Sequence, residues 1–204
     1  MSARILENRI MKTSFNKLCI AALLALSASA HAGSGYAALP IQQATQEHSQ
    51  WCWAASSVAT LRLFNQTPSQ CSVANWALGT SDACGDPNFN SNRRANQPNG
   101  IYGQSGSIQD ILRHWGVTSN GIANYLSWTS SVNLVNGNRP FVIRFGWTNG
   151  GGHFVVGYGY DDRSGTKRLA YMNPWPGEGL TWSSYSWTVS ASDHDWTHTL
   201  STVR

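Results

Sequence analysis

The spacing of apolar residues changes character along the chain. From Ser49 to about Asn65, the positions Trp53, Ala54, Ser57, Val58 and Leu61 recur at the intervals of a helix with one buried face. Thr67-Pro68-Ser69 opens a second expected helix that ends near Gly79. Ser107-Ile108-Gln109-Asp110 has the form of a capping box with Asp in place of Glu. It precedes Ile111, Leu112 and Trp115, and Gly116 supplies the stop. A further short helix is expected over 127–135, halted at Gly137. Residues 80–106 are dense in Gly, Asn, Asp, Ser and Pro and predict a long loop, while 33–46 reads as an extended leading arm.

At Pro140 the period shortens to two. Strands are expected over 141–147, 153–160 and 168–173, then over 180–189, where aromatics alternate with Ser and Thr, and finally over 196–203. Helices first and antiparallel strands afterwards is an α+β order. It places a helical lobe at about 47–137 and a β lobe at about 138–204.

Composition narrows the class. The chain has 204 residues, of which 41% are hydrophobic and 12% charged, about half the usual ~25% for soluble domains. Ten Trp and an aromatic share of 11% exclude general disorder. The formal charge of +4 is concentrated at the start, where Arg4, Arg9, Lys12 and Lys17 are opposed only by Glu7. Without that segment, 14 basic and 10 acidic side chains become 10 and 9, so no clustered basic face for nucleic acid is expected.

The same segment predicts a secretory leader. Lys12 and Lys17 precede a short apolar run from Leu18 to Leu26, and Ala30-His31-Ala32 fits a small-x-small cleavage pattern. The run is too short for the ~20 residues of a spanning helix. Cleavage is expected after Ala32, with residues before Met11 an upstream start or an extended basic region. The mature chain, 33–204, is then secreted or periplasmic, with no membrane association after cleavage.

That cut leaves Cys52, Cys71 and Cys84. An odd count outside the cytosol suggests one bridge and one free thiol. Cys71 and Cys84 are close enough in sequence to close a modest loop, which leaves Cys52 unpaired. It is either an inert buried cysteine or one with a chemical task. Cys52 falls in the first turn of the expected helix, where unsatisfied N–H groups favour a thiolate. Ala54 and Ala55 let the chain pack closely behind the sulfur. Gln46, six residues earlier, carries an amide able to donate to an oxyanion beside that sulfur.

Two further motifs lie in the β half. Gly150-Gly151-Gly152-His153-Phe154-Val155-Val156-Gly157-Tyr158 opens an apolar strand with a His behind a glycine run. Asn173-Pro174-Trp175-Pro176 closes the next strand. A hairpin folded about Arg163 pairs His153 with Asn173 on one face, where the Asn carbonyl can accept from the imidazole. Taken singly, a His at a strand start is usually structural and Asn-Pro usually a turn. Asp161 and Asp162 are rival partners for His153 but lie at the far end of its strand. His48 is the rival base. His194 and His198 with Cys52 match no common zinc spacing, so no metal is expected.

The combination of Gln46, Trp51-Cys52-Trp53-Ala54-Ala55, Gly152 to Tyr158 and Asn173 to Pro176 resembles the papain-like cysteine peptidases. It is most similar to the small bacterial branch that includes secreted effector proteases of plant pathogens, and more loosely to bacteriocin-processing peptidases. The resemblance spans about 40–204 and is carried by those motifs. It implies a two-lobe papain-like fold with Cys52 as nucleophile, His153 as base and acid, Asn173 as its orienter and Gln46 as oxyanion donor. The chain departs from the plant and lysosomal enzymes in lacking Gly-Ser before the Cys. Its gap from residue 52 to residue 153 is also shorter than their ~130–150 residues. The third residue is Asn where the small bacterial branch more often has Asp.

The expected function is that of a secreted endopeptidase acting on proteins or peptides as a monomer, with no cofactor and no metal. Acyl transfer of transglutaminase or deamidase type on the same residues is an alternative. A catalytically dead papain-like binding domain is another.

Overall fold

The computed structural model describes residues 35–85 and 93–203. The leader expected over 1–32 lies outside these residues. Helix α1 spans Cys52–Arg62, α2 Gln70–Leu78, α3 Ile108–His114, α4 Trp128–Asn136 and α5 Tyr185–Val189. Strand β1 spans Tyr36–Ala38, β2 Thr118–Ile122, β3 Phe141–Trp147 and β4 His153–Asp161; β5 spans Arg168–Asn173, β6 Gly179–Ser184 and β7 His194–Val203. The strands form one antiparallel sheet in the order β2-β7-β3-β4-β5-β6, with β1 also paired to β4. One edge of β4 is shared, because β3 covers 153–157 and β1 covers 159–161.

The helix boundaries follow their caps. Ser69, Ser107 and Ser127 accept from the backbone N–H groups of Ser72, Asp110 and Ser130, each satisfying an orphan donor of a first turn. Gly79 closes α2 in the left-handed region at φ 59°. The Asp110 carboxylate reaches back to the Gly106 N–H, so the box is completed one residue before the cap.

Three elements depart from expectation. Strand β1 sits within the leading arm, and β2 follows the Gly116 stop, so the sheet draws on both sides of the change at 137–140. The alternating stretch expected as one strand over 180–189 breaks after Ser184. That serine caps α5 by accepting from the Trp187 N–H, and Thr188 bonds back to the Ser184 carbonyl. A single helical turn is too short to show a 3.6-residue period against Ser and Thr alternation.

Two apolar clusters lie against the sheet. One gathers Phe141, Ile143 and Phe145 with Trp128, Leu134, Tyr158 and Met172. The other gathers Val142, Phe154 and Leu200 with Trp51, Trp53, Leu61, Ile108 and Ile111. The period of two along β3 thus divides its residues between the clusters. A Cβ at Gly157 would lie 2.2 Å from Phe141 Cε2, so only glycine lets that ring lie across β4. Cys71 and Cys84 form a disulfide across a separation of 13 residues.

Candidate active site

Cys52 is the first residue of α1 and is free and half-buried. The helix start is not capped by a side chain. It is held by tertiary bonds instead. Trp51 Nε1–H donates to the Ala95 carbonyl at 2.7 Å and Trp53 Nε1–H to the Gln97 carbonyl at 2.9 Å. Asn96 accepts from the Gln50 N–H and donates to Ser49 Oγ, at 3.0 Å in each case. A loop rich in Asn and Gln therefore fixes the first turn of α1 by backbone and amide bonds that leave no periodic signature. Ser56 Oγ donates to the Phe154 carbonyl at 3.1 Å, tying α1 to β4 one residue beyond His153.

The thiol experiences two opposing effects. Burial pushes Cys52 up from its ordinary value to about 11. Backbone N–H groups of Phe154, Trp53 and Cys52 itself, and the positive charge of Arg144, act in the other direction. Burial therefore opposes the thiolate expected at the helix start, which the N–H groups and the helix terminus favour.

His153 opens β4 and is buried, with 3% of its surface exposed. Its Nε2 lies 2.7 Å from Asn173 Oδ1. The Trp175 backbone N–H donates to the same oxygen at 3.0 Å, which fixes the amide orientation. An amide oxygen only accepts, so the imidazole proton is on Nε2 and Nδ1 carries the free lone pair. Burial lowers the His153 pKa below its ordinary value, and the Asn173 bond partly restores it. Trp147 stacks on the ring at 6.0 Å between centroids and Trp175 packs on it at 5.1 Å. Neither tryptophan was marked as a ring clamp by the sequence pattern, although Trp175 belongs to the Asn173 motif.

The expected hairpin register is corrected. Asp161 pairs with Arg168 and Gly159 with Ala170, so the turn centres between Ser164 and Gly165 and not on Arg163. A bulge between Gly157 and Gly159 shifts the far half, where Gly157 pairs with Tyr171 and Val156 with Met172. Asn173 is one residue further along and is diagonal to His153, not opposite it. The face is preserved because the two errors together displace the register by an even number of residues.

The other candidates separate. Gln46 Nε2 donates to the carbonyls of His48 and Ser49, each at 3.0 Å, so both amide protons are engaged within its own loop. The Gln46 backbone N–H donates to the Pro174 carbonyl at 2.8 Å, joining the leading arm to the Asn173 turn. His48 packs edge-on against Trp51. Asp161 is held by Arg163, and Asp162 accepts from the Gly35 N–H. His114 stacks on Trp76 and meets Trp115 edge-on, and His194 bonds Asp193. No cluster of His, Cys, Asp and Glu able to hold a metal occurs among the described residues. Among those residues, no helix is long and apolar enough to cross a membrane.

A free cysteine at a helix start, stitched to the strand that carries a His bonded to an Asn of the next strand, sits in a mixed fold of helices and one antiparallel sheet. This is the arrangement of the papain-like cysteine peptidases. The model of the Peptidase_C39-like family matches residues 38–200, and the chain belongs to that family. Comparison with curated proteins finds no match. Among solved structures, the peptidase domain of Streptococcus ComA, a bi-functional ABC transporter involved in quorum sensing, is similar at a TM-score of 0.55 and 13% identity. The likeness covers 80% of this chain and 99% of that one. A structure from work on the mite allergens Blo t 1 and Der p 1 is similar at a TM-score of 0.49 and 10% identity, covering 80% of this chain and 67% of that one.

Proposed function

We propose that this protein is a secreted cysteine endopeptidase that cleaves peptide bonds through an acyl-enzyme on Cys52. The observation that carries the proposal is the His153–Asn173 bond. It uses Nε2 and leaves Nδ1 as the nitrogen able to take the thiol proton, on a residue whose strand neighbour Phe154 donates its N–H toward that sulfur.

Cys52 begins as a thiol beside a neutral imidazole. As substrate excludes water, the proton passes from Sγ to His153 Nδ1 and the sulfur attacks the scissile carbonyl carbon. The N–H of Cys52, at the helix start, faces the developing oxyanion. Gln46 Nε2–H joins it by leaving the His48 and Ser49 carbonyls. The imidazolium then gives its proton to the leaving amine. A water molecule loses a proton to His153 and attacks the thioester, which releases the acid and restores the thiol. Asn173 takes no proton; it holds the ring plane and the Nε2 tautomer.

Labelling by a thiol-directed peptidyl epoxide tests the pairing. Wild-type protein takes up one label at Cys52, and His153→Ala takes it up at least about 100-fold more slowly. Equal labelling rates in both proteins contradict the proposed pairing. Secretion is proposed from the leader pattern: exported protein begins at Gly33, and exported material that retains Met1 or Met11 contradicts it.

A further inference from the structure

Two cavities meet the proposed catalytic groups from different sides. One, of about 140 Å³, is lined by Cys52, Trp53, Asn99, Arg144, Gly152 and Phe154. The other, of about 330 Å³, contains His153, Asn173 and Trp175 but not Cys52. The chemistry assigns their polarity. The acyl part of a substrate stays bonded to the sulfur, whereas the leaving amine must lie beside the imidazole that protonates it. The cavity at Cys52 therefore receives a side chain on the acyl side of the scissile bond.

Arg144 is the charged residue of that cavity. Its position follows from β3. The strand period places it on the face of Val142, and it pairs across the sheet with Phe154 on one side and His198 on the other. Its Nη1 donates to Thr197 Oγ1 and its Nη2 to the Gly151 carbonyl, both at 2.9 Å. Two of five guanidinium N–H donors are used by these bonds. Among the described residues no carboxylate pairs with it, and none of the residues lining the cavity is acidic.

The glycines around it have a reason in this light. A Cβ at Gly152 would sit 2.5 Å from the Phe145 carbonyl oxygen and 3.0 Å from Arg144 Cζ, and one at Gly146 would sit 2.8 Å from Thr197 Cγ2 and 3.0 Å from Arg144 Nη1. Of the glycine run before His153, it is Gly152 that leaves room for the Arg144 guanidinium. A half-buried arginine fixed at two points, with donors to spare and no acid opposite, is a preformed receptor for a planar anion.

We infer that Arg144 is a specificity-determining residue, and that the enzyme selects substrates with an Asp or Glu side chain on the acyl side of the scissile bond, bound by its guanidinium in the Cys52 cavity. The inference rests on the peptidase proposal and adds its substrate class. A peptide C-terminal carboxylate does not satisfy it, because that group would lie on the leaving side.

The test is digestion of a proteome-derived peptide library by the 33–204 protein, with cleaved ends read by mass spectrometry. Asp and Glu are expected to be enriched at one acyl-side position. A cleaved peptide carrying Glu there is then compared with its Glu→Gln counterpart. Wild-type kcat/KM is expected to be about tenfold higher for Glu, a difference in keeping with a charge-assisted bond, and mainly through KM. In Arg144→Gln the ratio falls below about twofold, whatever change in rate the two peptides share. A purely structural arginine would instead lower both rates together and leave their ratio unchanged. If Arg144→Gln does not fold, the Glu and Gln pair on wild-type protein still decides. Equal cleavage of the pair, or no acidic enrichment in the library, overturns the inference and leaves the peptidase proposal standing. Absence of any Cys52-dependent cleavage overturns both.

Discussion

His153 and Asn173 are bonded across a diagonal of the β4–β5 hairpin, Nε2 to Oδ1 at 2.7 Å, with a bulge between them and the turn. The same Asn173 oxygen accepts from the Trp175 N–H, so the amide is held from two directions. The ring it orients stacks on Trp147 and packs at a tilt against Trp175.

Asn173→Ala removes the orienting acceptor without removing the base. It is expected to lower kcat/KM by about tenfold, well short of the ~10²–10⁴ attributed to the proton-transfer group itself. Asn173 raises the His153 pKa against the burial that lowers it. Its loss is therefore expected to move the acid limb of the pH profile further down. A stopped-assay pH series on both proteins checks this, and an unmoved acid limb contradicts the orienting role.

The pH profile of kcat/KM follows from the two shifts. The active pair holds one shared proton, and activity is lost when it gains a second or loses the first. Burial depresses protonation of His153, so the acid limb lies below its ordinary 6.5. Burial raises Cys52 to about 11, so the alkaline limb lies above the ordinary thiol range. A plateau between pH 7 and 9 is expected, measured over about pH 4 to 11 in constant ionic strength. A midpoint of loss inside that interval contradicts the protonation states assigned here.

Gln46→Ala is expected to lower kcat by ~10²–10³ with little change in KM, the behaviour of a donor used in the transition state. In the free protein its amide protons rest on the His48 and Ser49 carbonyls, so the donor must reorient on binding. A change in KM with kcat intact would assign Gln46 to the loop alone.

The Cys71–Cys84 bridge closes a loop of 13 residues. Replacing both cysteines by Ser is expected to destabilise the fold by ~3 kcal/mol in urea unfolding, with Cys52 the remaining titratable thiol. A peptide map linking Cys52 to either partner contradicts this assignment.

Much of this architecture was legible because its signals are local. Ser69, Ser107 and Ser127 as caps, Gly79 and Gly116 as stops, and the period of two from Phe141 to Trp147 each act within a few residues. Cys52, His153 and Asn173 stood out by residue type and spacing. Strands β1 and β2 were not legible, since three to five residues at a sheet edge take their form from the partner strand. The bulge at Tyr158 was equally hidden, so the register was wrong while the shared face was right. Arg144 escaped because nothing in the run Phe141 to Trp147 distinguishes an arginine facing a cleft from one facing solvent. Its placement beside Cys52 depends on a helix 82 residues or more earlier in the chain (residue 144 against 62). The desolvation of Cys52 escaped for a related reason: burial of Sγ is a tertiary property, whereas the helix start is a local one.

The most direct measurement compares wild-type 33–204 with Cys52→Ala in the peptide-library digest, with His153→Ala and His48→Ala alongside. New internal cleavages are expected from wild-type and His48→Ala proteins, none from Cys52→Ala, and at most a trace from His153→Ala. Cleavage by Cys52→Ala at the wild-type rate would contradict the assignment of this chain as a cysteine peptidase.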